Sequence, residues 1–290
     1  MSKIVITGGC GFIGSHLALM LAEENDVVVF DKVSLPAKLK GKVRFVKGDI
    51  RDFAGLKGAF KGADTVYHLA AQISVPKSFS DPYYDFSVNA LGSINVSEAC
   101  VKADVKTLVV FSSAAVFGDN PNVPLNEDAE TVPLSPYGDN KLFAEKYIRY
   151  IKKDVTVVRP FNVYGPGQDP SNEYSGVISK FIDMARKGED LTIFGDGKQT
   201  RDFVHVSDVC RAVIKVSSEA GTFNVGTGNA VSINALAETV NRLSGGKSKI
   251  VYADERVGDI LHSCADVSKL RSVGWVPKVS LEDGLKEMVR

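Results

Sequence analysis

The 290-residue sequence has no excess of either charge, since Lys and Arg together number 35 and Asp and Glu together also number 35. Such a balance gives no electrostatic reason to bind nucleic acid or an anionic membrane, although a local basic pocket for a small anion is compatible with it. No apolar run approaches the length of a membrane span, and the residues before the first glycines are too few for a signal peptide. These absences predict a cytoplasmic protein without nucleic-acid or membrane partners.

Cysteine and histidine are few and scattered. Cys10, Cys100, Cys210 and Cys264 contain no CxxC pair, so they form neither a disulfide framework nor a zinc set. The four histidines include no HExxH. We therefore expect a reducing compartment and no metal site.

Short β-branched runs recur along the first 160 residues, and several are apolar throughout, as strands buried on both faces of a sheet should be. They are IVI (4–6), VVVF (27–30), VRFV (43–46), TVYHL (65–69), LVVF (108–111) and VTVVR (155–159). Helical patterns such as those at 16–25 and 89–103 lie between many of them. This alternation predicts an α/β protein with a Rossmann-type, doubly wound parallel sheet.

The composition and the pattern of predicted elements change near residue 165. The turn-rich stretch GPGQDPSNEYSG (165–176) is followed by helix-like stretches with short strands between them. We predict a dinucleotide-binding domain over 1–165 and a smaller C-terminal α/β lobe over 166–290. A segment of about 200–216 resembles a strand and a helix that return to the first domain.

A glycine-rich loop follows the first predicted strand and opens a helical pattern, with Gly8, Gly11 and Gly14 spaced by three residues. Glycines suit a tight turn, close approach of the backbone to a pyrophosphate, and tight helix–sheet packing, while the helix N–H groups bind phosphate charge. We predict that this loop, with Phe12 and Ile13, binds a dinucleotide. An ordinary glycine-rich turn is the alternative.

The second predicted strand ends at Asp31, 17 residues after Gly14. A carboxylate there can accept hydrogen bonds from both adenosine ribose hydroxyls and would repel a 2′-phosphate, which favours NAD over NADP. Lys32 weakens that preference, and Asp31 could instead cap a loop. Asp49 and Ile50, after the third strand, are candidates to hydrogen-bond and flank the adenine.

A helix is predicted to begin at Pro136 with Ser135 as its N-cap. Tyr137 and Lys141 then lie four residues apart on one face of its first turns. An isolated pair of this kind is more often two half-exposed surface residues, so the other motifs have to decide its role.

The first domain and the lobe each contain a set of motifs in a consistent order. Those of the first domain are TGGCGFIG (7–14), HLAA (68–71), FSSAAVFG (111–118) and the YxxxK pair. Together they resemble the extended short-chain dehydrogenase/reductase family. Those of the lobe resemble its sugar-nucleotide branch, especially the UDP-glucose 4-epimerases. They are RPFNVYGPGQDP (159–170), FGDGKQTRDFVHVSDV (194–209), FNVGTG (223–228) and RVGDILHSCADVSK (256–269).

The resemblance implies that Tyr137 is the general acid/base, that Lys141 shifts its pKa and holds the nicotinamide ribose, and that Ser113 hydrogen-bonds the reacting hydroxyl. Free tyrosine titrates near pH ~10, and a lysine ammonium and an oxidised nicotinamide would both lower the pKa of the phenol. Further NAD contacts implied by the resemblance are Leu69, Ala70, Ala71 and Asn89.

Ala114 and Ala115 follow Ser113 and limit the chemistry. At this place, relatives that eliminate water across C5–C6 carry Asp-Glu, and decarboxylating relatives keep a glutamate. Because an alanine cannot move a proton, both reactions are disfavoured, and reversible oxidation at C4 through a 4-keto sugar remains. We expect a 4-epimerase of UDP-hexoses. The alternatives are an epimerase or reductase of GDP- or TDP-linked sugars, or an NAD-sensing protein without catalysis.

The resemblance places Arg201 and Arg256 in diphosphate-binding segments. Arginine suits a diphosphate because its fork can bind two oxygens at once. Each arginine could instead form an ion pair with a neighbouring carboxylate. Arg201 could pair with Asp202 at the surface, and Arg256 could pair with an acidic residue just before it.

Five further substrate contacts follow from the resemblance. Asp259 matches a uridine-ribose contact, and Asn162 matches a side chain that reaches the substrate. Phe181 and Val177 are candidate walls for the uracil, with core packing as the alternative. Ser263 matches a wall position whose bulk decides whether N-acetyl sugars fit, so this small residue predicts room for UDP-GlcNAc and UDP-GalNAc.

Fold-level analogy also predicts a homodimer. In this fold class, the helices at 89–103 and 137–152 often pair with their copies across a two-fold axis.

Overall fold

The computed structural model describes residues 1–168, 176–255 and 260–290. The chain forms two compact units, each made of segments that are distant in sequence. The first comprises Met1–Val116, Pro133–Arg159 and Cys210–Phe223, and the second comprises Phe117–Val132, Pro160–Val209 and Asn224–Arg290. The chain therefore passes between the units more often than a single boundary near residue 165 would imply.

The elements follow the predicted alternation. The strands are β1 Lys3–Thr7, β2 Asp26–Asp31, β3 Arg44–Lys47, β4 Thr65–His68, β5 Thr107–Phe111, β6 Val155–Pro160, β7 Asn162–Tyr164, β8 Leu191–Phe194, β9 Thr200–His205, β10 Gly221–Val225, β11 Ala230–Ser232 and β12 Ile250–Ala253. The helices are α1 Phe12–Leu21, α2 Phe53–Phe60, α3 Val75–Ser80, α4 Pro82–Phe86, α5 Gly92–Lys102, α6 Pro136–Ile151, α7 Val177–Lys187, α8 Val206–Lys215, α9 Ile233–Leu243, α10 Ser268–Ser272 and α11 Leu281–Val289.

A seven-stranded parallel sheet in the order β3-β2-β1-β4-β5-β6-β10 confirms the predicted Rossmann-type architecture. Its inner strands are apolar because helices cover both faces, and Val5, Val29 and Val157 are completely buried. The strand order reverses between β1 and β4, which is where doubly wound sheets open a crevice at their carboxyl ends. The glycine loop after β1 and the HLAA segment after β4 both lie at this point.

The helix that carries Tyr137 begins as predicted. Pro136 is its first residue, and the Ser135 hydroxyl accepts a hydrogen bond of 3.1 Å from the Gly138 amide. The predicted helix over 89–103 differs, because a π-helical turn at Ser87–Leu91 precedes α5. Such wide turns are frequent at functional sites, and this one contains Asn89.

The second unit confirms the expected smaller α/β lobe. It contains a three-stranded sheet in the order β11-β9-β7 and a two-stranded sheet of β12 and β8. Its core includes Tyr164, Phe181, Leu191 and Leu236, all of which are buried.

A buried ion pair joins α6 to β6 in the first unit. Arg159 donates two hydrogen bonds to the Glu145 carboxylate, from Nε at 3.0 Å and from Nη2 at 2.7 Å. Only 7% of the Arg159 side chain and 2% of the Glu145 side chain are exposed. Such a pair costs desolvation when it forms, but the loss of either partner leaves an uncompensated charge in the interior.

We predict that Glu145→Gln lowers the free energy of unfolding by about 3–5 kcal/mol, because the Arg159 guanidinium then stays buried without its counter-charge. Chemical denaturation of the wild type and the variant measures this loss. The control is Asp26→Asn, which breaks the exposed Arg44–Asp26 pair of the same unit and should cost less than about 1 kcal/mol. Equal losses in the two variants would contradict the prediction.

Candidate active site

The backbone of the glycine loop packs so closely that two of its glycines have no room for a Cβ. Gly8 has a φ of +72°, and a Cβ there would lie 2.5 Å from the Ala70 nitrogen. A Cβ on Gly14 would lie 2.3 Å from the Gly8 carbonyl oxygen. Gly11 is the N-cap of α1 and offers no capping side chain, so the first amides of the helix are available to an anion. Phe12 begins α1, and Ile13 follows it. The loop therefore fits the pyrophosphate of a dinucleotide.

Asp31 ends β2 and is linked to the glycine loop. Its carboxylate accepts hydrogen bonds from the Cys10 amide at 2.9 Å and the Val33 amide at 3.1 Å. The neighbouring Lys32 is drawn aside, because its Nζ donates to the Tyr84 hydroxyl at 2.7 Å. Asp31 thus caps the loop locally and lies beside the segment that would hold the phosphates, and its contact with the adenosine ribose stays a prediction.

Asp49 and Ile50 occupy different environments. Arg51 donates to both carboxylate oxygens of Asp49, at 3.0 and 2.7 Å, and this bonding holds the pKa of Asp49 below its usual value. Ile50 is buried, and its side chain packs closely on Gly92. Ile50 is therefore part of the core between the sheet and α5.

The HLAA segment runs along β1 at the carboxyl end of the sheet. The Leu69 amide donates to the Thr7 carbonyl oxygen at 3.0 Å, and the Ala70 amide donates to the Thr7 hydroxyl at 3.4 Å. Leu69, Ala70 and Ala71 are all partly exposed. They stand at the reversal point of the sheet, beside the glycine loop.

The Asn89 side chain forms hydrogen bonds within the protein. Its amide group donates to the Gln72 carbonyl oxygen at 2.8 Å and to Asp85 Oδ1 at 2.9 Å, while its own Oδ1 accepts from the Gln72 amide at 3.0 Å. Both amide hydrogens are therefore engaged within the protein, where Asn89 clamps Gln72 to Asp85, and its contact with the cofactor stays a prediction.

Ser113, Tyr137 and Lys141 are brought together at the carboxyl end of β5. The side chains of Ser113 and Tyr137 are hydrogen-bonded to each other. Lys141 is buried, and its Nζ donates to the Phe111 carbonyl oxygen at 2.5 Å. Ala115 lies beside this group, and its amide donates to Ser113 Oγ at 3.1 Å.

Burial dominates the electrostatics of this group. It lowers the pKa of Lys141 to about 8, against the opposing effects of the Glu145 and Asp85 carboxylates. It also raises the pKa of Tyr137, which the hydrogen bond with Ser113 lowers and the charge of Asp85 raises further. The expected lowering of the tyrosine pKa is therefore not produced by the protein's own groups, because desolvation outweighs them.

His68 lies near this group but is not placed for proton transfer. Its ring nitrogens are within hydrogen-bonding distance of the Thr7 hydroxyl, at 2.8 Å, and the Ser93 hydroxyl, at 2.9 Å. Burial, followed by the charge of Lys141, lowers the pKa of His68 to about 3, so the imidazole is neutral near pH 7.

In the second unit, Asn162, Val177 and Arg201 line one open cleft of about 180 Å³. The alternative in which Arg201 pairs with Asp202 at the surface is wrong, because Asp202 is completely buried. Its carboxylate accepts hydrogen bonds from the amides of Thr227, Gly228 and Ala265 and from the Thr227 hydroxyl.

Sequence reasoning missed part of this cleft. Besides Phe181, which the sequence already offers as a candidate wall for the uracil, its lining includes Thr192, Ile193, Phe194, Gln199 and Ile233. Gln199 lies in the FGDGKQTRD motif next to Arg201, and this proximity is the signal that could have identified it. Phe194 begins the same motif, whereas Thr192 and Ile193 of β8 carry no motif, and the packing of β8 beside α7 brings them to the cleft.

Ser263 is buried, and its amide donates to the Thr200 carbonyl oxygen at 3.1 Å, next to Arg201. The other two predicted substrate residues, Arg256 and Asp259, lie outside the described residues.

The described part of the chain has neither a metal-binding cluster nor a membrane-spanning helix. It contains no group of three or more His, Cys, Asp or Glu side chains arranged to hold a metal ion. None of its helices is both long enough and apolar enough to cross a bilayer.

A Rossmann-type sheet with a glycine loop at its reversal point defines a dinucleotide-binding enzyme. Residues 4–226 match the NAD dependent epimerase/dehydratase family, and the chain belongs to this family. NAD is accordingly its cofactor.

Three comparisons show which proteins the chain resembles. It is 40% identical over 296 residues to a putative UDP-glucose 4-epimerase of Methanocaldococcus jannaschii, covering 99% of this chain and 97% of the relative. It is 37% identical to the solved UDP-N-acetylglucosamine 4-epimerase of Methanobrevibacter ruminantium M1 in complex with UDP-N-acetylmuramic acid, with a TM-score of 0.94 and coverage of 99% and 97%. It is also 37% identical to MoeE5 in complex with UDP-glucuronic acid and NAD, with a TM-score of 0.91 and coverage of 99% and 98%.

We predict that Gly14→Ala abolishes measurable NAD binding, because the added Cβ would collide with the Gly8 carbonyl oxygen. Calorimetric titration of the cofactor-stripped protein with NAD measures the effect. The control is Gly58→Ala in α2, where a Cβ meets nothing within 4 Å and should stabilise the helix by up to about 1 kcal/mol. Retention of wild-type affinity in Gly14→Ala would show that the dinucleotide does not use this loop.

Proposed function

We propose that the protein is an NAD-dependent 4-epimerase of UDP-hexoses, acting on UDP-glucose and UDP-galactose and also on UDP-GlcNAc and UDP-GalNAc. The observation that carries the proposal is the group formed by Ser113, Tyr137 and Lys141 at the carboxyl end of β5. A phenol that is hydrogen-bonded to a serine hydroxyl and lies next to a buried lysine suits proton exchange with a sugar alcohol. The similarity of the whole chain to enzymes whose names specify UDP-sugar 4-epimerisation supports the substrate class.

The cofactor would lie along the glycine loop, with its phosphates on the first amides of α1 and its ribose groups near Asp31 and Lys141. Bound there, NAD would supply the hydride acceptor and donor for C4 of the sugar, and the positive charge of its oxidised form would oppose the burial that raises the pKa of Tyr137. Tyr137 accepts the C4 hydroxyl proton and later returns it. Ser113 orients that hydroxyl, and Lys141 favours the phenolate.

The residues after Ser113 favour epimerisation over the other reactions of the family. Ala114 and Ala115 have no group that can carry a proton to or from C5 or C6, so the dehydratase and decarboxylase reactions would lack their acid and base. The 4-keto intermediate can then only turn over and accept the hydride again.

The cleft of the second unit suits the nucleotide part of the substrate. We assign the diphosphate to Arg201, a contact of the substrate to Asn162, and the uracil wall to Val177. Arg256 as a second diphosphate ligand and Asp259 as a ribose contact remain predictions from the sequence.

The expected homodimer also remains a prediction, and the surface of α6 supports it. Phe86, Phe143, Tyr147 and Tyr150 are exposed large aromatic residues, and Phe143 stacks on Tyr147 with ring centroids 5.3 Å apart. A row of this kind is unusual on the surface of a monomer. The cytoplasmic location likewise rests on composition alone.

The function is tested by product analysis without added cofactor, using UDP-galactose and UDP-GlcNAc, then UDP-glucuronic acid and GDP- and TDP-linked hexoses. We predict that Tyr137→Phe lowers kcat by about 10²–10⁴-fold, because the C4 proton loses its acceptor, while NAD still binds. Tyr150→Phe, an exposed position on the same helix, is the control and should keep wild-type activity. Unchanged turnover in Tyr137→Phe would overturn the mechanism, and turnover of GDP- or TDP-linked sugars alone would overturn the substrate assignment.

We further predict that Ser263→Tyr suppresses turnover of UDP-GlcNAc while turnover of UDP-galactose continues, because the larger side chain fills the space required by the acetamido group. The ratio of the two kcat/KM values measures this change, and the retained UDP-galactose activity shows that the variant is folded. Ser272→Tyr, at an exposed position, should leave the ratio unchanged. A wild-type protein that does not convert N-acetyl sugars would refute this prediction.

A further inference from the structure

Asp31 and Lys32 carry opposite charges at the end of β2, where the choice between the two nicotinamide dinucleotides is made. NADP differs from NAD by one phosphate at the 2′ position of the adenosine ribose. A carboxylate at this place repels that phosphate, whereas a lysine ammonium attracts it. The adjacent pair is therefore ambiguous as a sequence, and the position of the lysine side chain decides which charge a ribose would meet.

The Lys32 side chain is bound by Tyr84 of α4. Its Nζ donates a hydrogen bond of 2.7 Å to the Tyr84 hydroxyl, although the two residues lie 52 positions apart in the chain. Asp31 has other partners, because its carboxylate accepts hydrogen bonds from the amides of Cys10 and Val33. The two neighbouring side chains are thus held by different parts of the first unit.

Two more cations lie near the Tyr84 ring. Lys77 Nζ is 4.6 Å from the ring centre, and Arg51 Cζ is 5.4 Å from it, which are distances at which an aromatic ring attracts a cation. The charge of Arg51 is compensated by Asp49, to which it donates two hydrogen bonds. Lys32 and Lys77 form no ion pair with any residue that the structure describes. Positive charge is therefore present beside the end of β2, and the tyrosine fixes where it lies.

The Tyr84 ring is itself held in place. It packs against the core of the first unit, and the Tyr84 amide donates to Asp81 Oδ1 at 3.0 Å. The Tyr84 carbonyl oxygen accepts a hydrogen bond of 2.8 Å from the Ser87 hydroxyl. The next residue, Asp85, is completely buried and accepts hydrogen bonds from three amide side chains, at 2.6, 2.9 and 2.7 Å. Because the backbone on both sides of the ring is fixed, the hydroxyl can hold the lysine in one position.

We propose that Tyr84 is a specificity-determining residue that favours NAD over NADP by binding the ammonium of Lys32. While the lysine is bound to the hydroxyl, Asp31 is the charge that the adenosine ribose meets, and it repels a 2′-phosphate. A lysine released from Tyr84 could pair with that phosphate, because it directly follows Asp31 in the chain. This inference rests on the proposed placement of the adenosine ribose near Asp31.

The test measures binding and does not depend on catalysis. NAD and NADP are titrated separately into cofactor-stripped protein, up to millimolar concentrations, and the heat of binding gives both Kd values. Tyr84→Phe keeps the ring with its core packing and its contacts to Lys77 and Arg51, and removes only the hydroxyl. We expect the ratio of the NADP Kd to the NAD Kd to fall by about 3–10-fold, as one new ion pair with a phosphate would produce.

Tyr83→Phe is the matched control, since it makes the same change at the preceding position, where the residue is 84% exposed. Its ratio of Kd values should equal that of the wild type. An equal fall in Tyr83→Phe would overturn the proposal, and so would a Tyr84→Phe variant that binds NAD but shows no gain for NADP. If Tyr84→Phe does not bind NAD, Tyr84→Leu, which also lacks the hydroxyl, replaces it and has to meet the same expectation.

A double substitution tests whether the gain comes from Lys32. Lys32→Met alone and Lys32→Met combined with Tyr84→Phe should have the same ratio of Kd values, because neither contains the lysine that the hydroxyl binds. A ratio that still falls when Tyr84→Phe is added to Lys32→Met would overturn the proposal. Equal affinity of the wild type for NAD and NADP would also overturn it, since the cations around the ring would then already accept the phosphate.

Asp31→Asn separates this inference from the placement of the ribose. It removes the charge that repels a 2′-phosphate, so it should by itself raise the affinity for NADP relative to NAD. If Asp31→Asn changes the ratio and Tyr84→Phe does not, the role of Tyr84 is wrong and the placement stands. If neither variant changes the ratio, the placement is wrong and the inference fails with it.

Discussion

The desolvation of Lys141 and Tyr137 is the constraint on which the site depends. Burial favours the neutral form of both groups, so it opposes the ammonium and the phenolate that the proposed reaction requires. Two effects oppose this burial. The hydrogen bond with Ser113 lowers the pKa of Tyr137, and the carboxylates of Glu145 and Asp85 raise the pKa of Lys141. Its own groups do not bring the tyrosine pKa below its usual value. The tyrosine would therefore become an effective base when a further positive charge lies beside it, which couples proton removal to the presence of the oxidised cofactor.

Close backbone packing is the second constraint, and it explains why the cofactor loop is rich in glycine. The Gly8 backbone passes against Ala70, and Gly14 lies against the Gly8 carbonyl oxygen, so neither position has room for a side chain. This packing places the first turn of α1 at the reversal point of the sheet. The first amides of α1 can bind phosphate charge there because the N-cap residue, Gly11, has no side chain to cap them.

In the second unit, buried carboxylates serve to hold chain segments together. Asp202 binds the amides of three residues in two separate loops, and Asp208 accepts hydrogen bonds from the amides of Lys278 and Val279. These bonds are formed with backbone N–H groups, and Asp202 lies next to Arg201 of the cleft. The orientation of the cleft residues thus depends on carboxylates that do not themselves line it.

The sequence by itself determined the parallel sheet, the glycine loop, the start of α6 and the placement of Tyr137 and Lys141 on one helix face. Each of these follows from apolar runs, from turn residues or from a spacing of three or four residues, and such local rules can be read along one chain. The packing of the folded chain, by contrast, decides that Asn89 clamps Gln72 to Asp85, that Asp202 is completely buried and that Asp85 is held by three amide side chains. The partners of Asp85 lie 13, 4 and 55 residues away along the chain. Contacts over such distances are set by how helices and loops pack, and burial, which no local pattern states, then sets the direction in which each pKa moves.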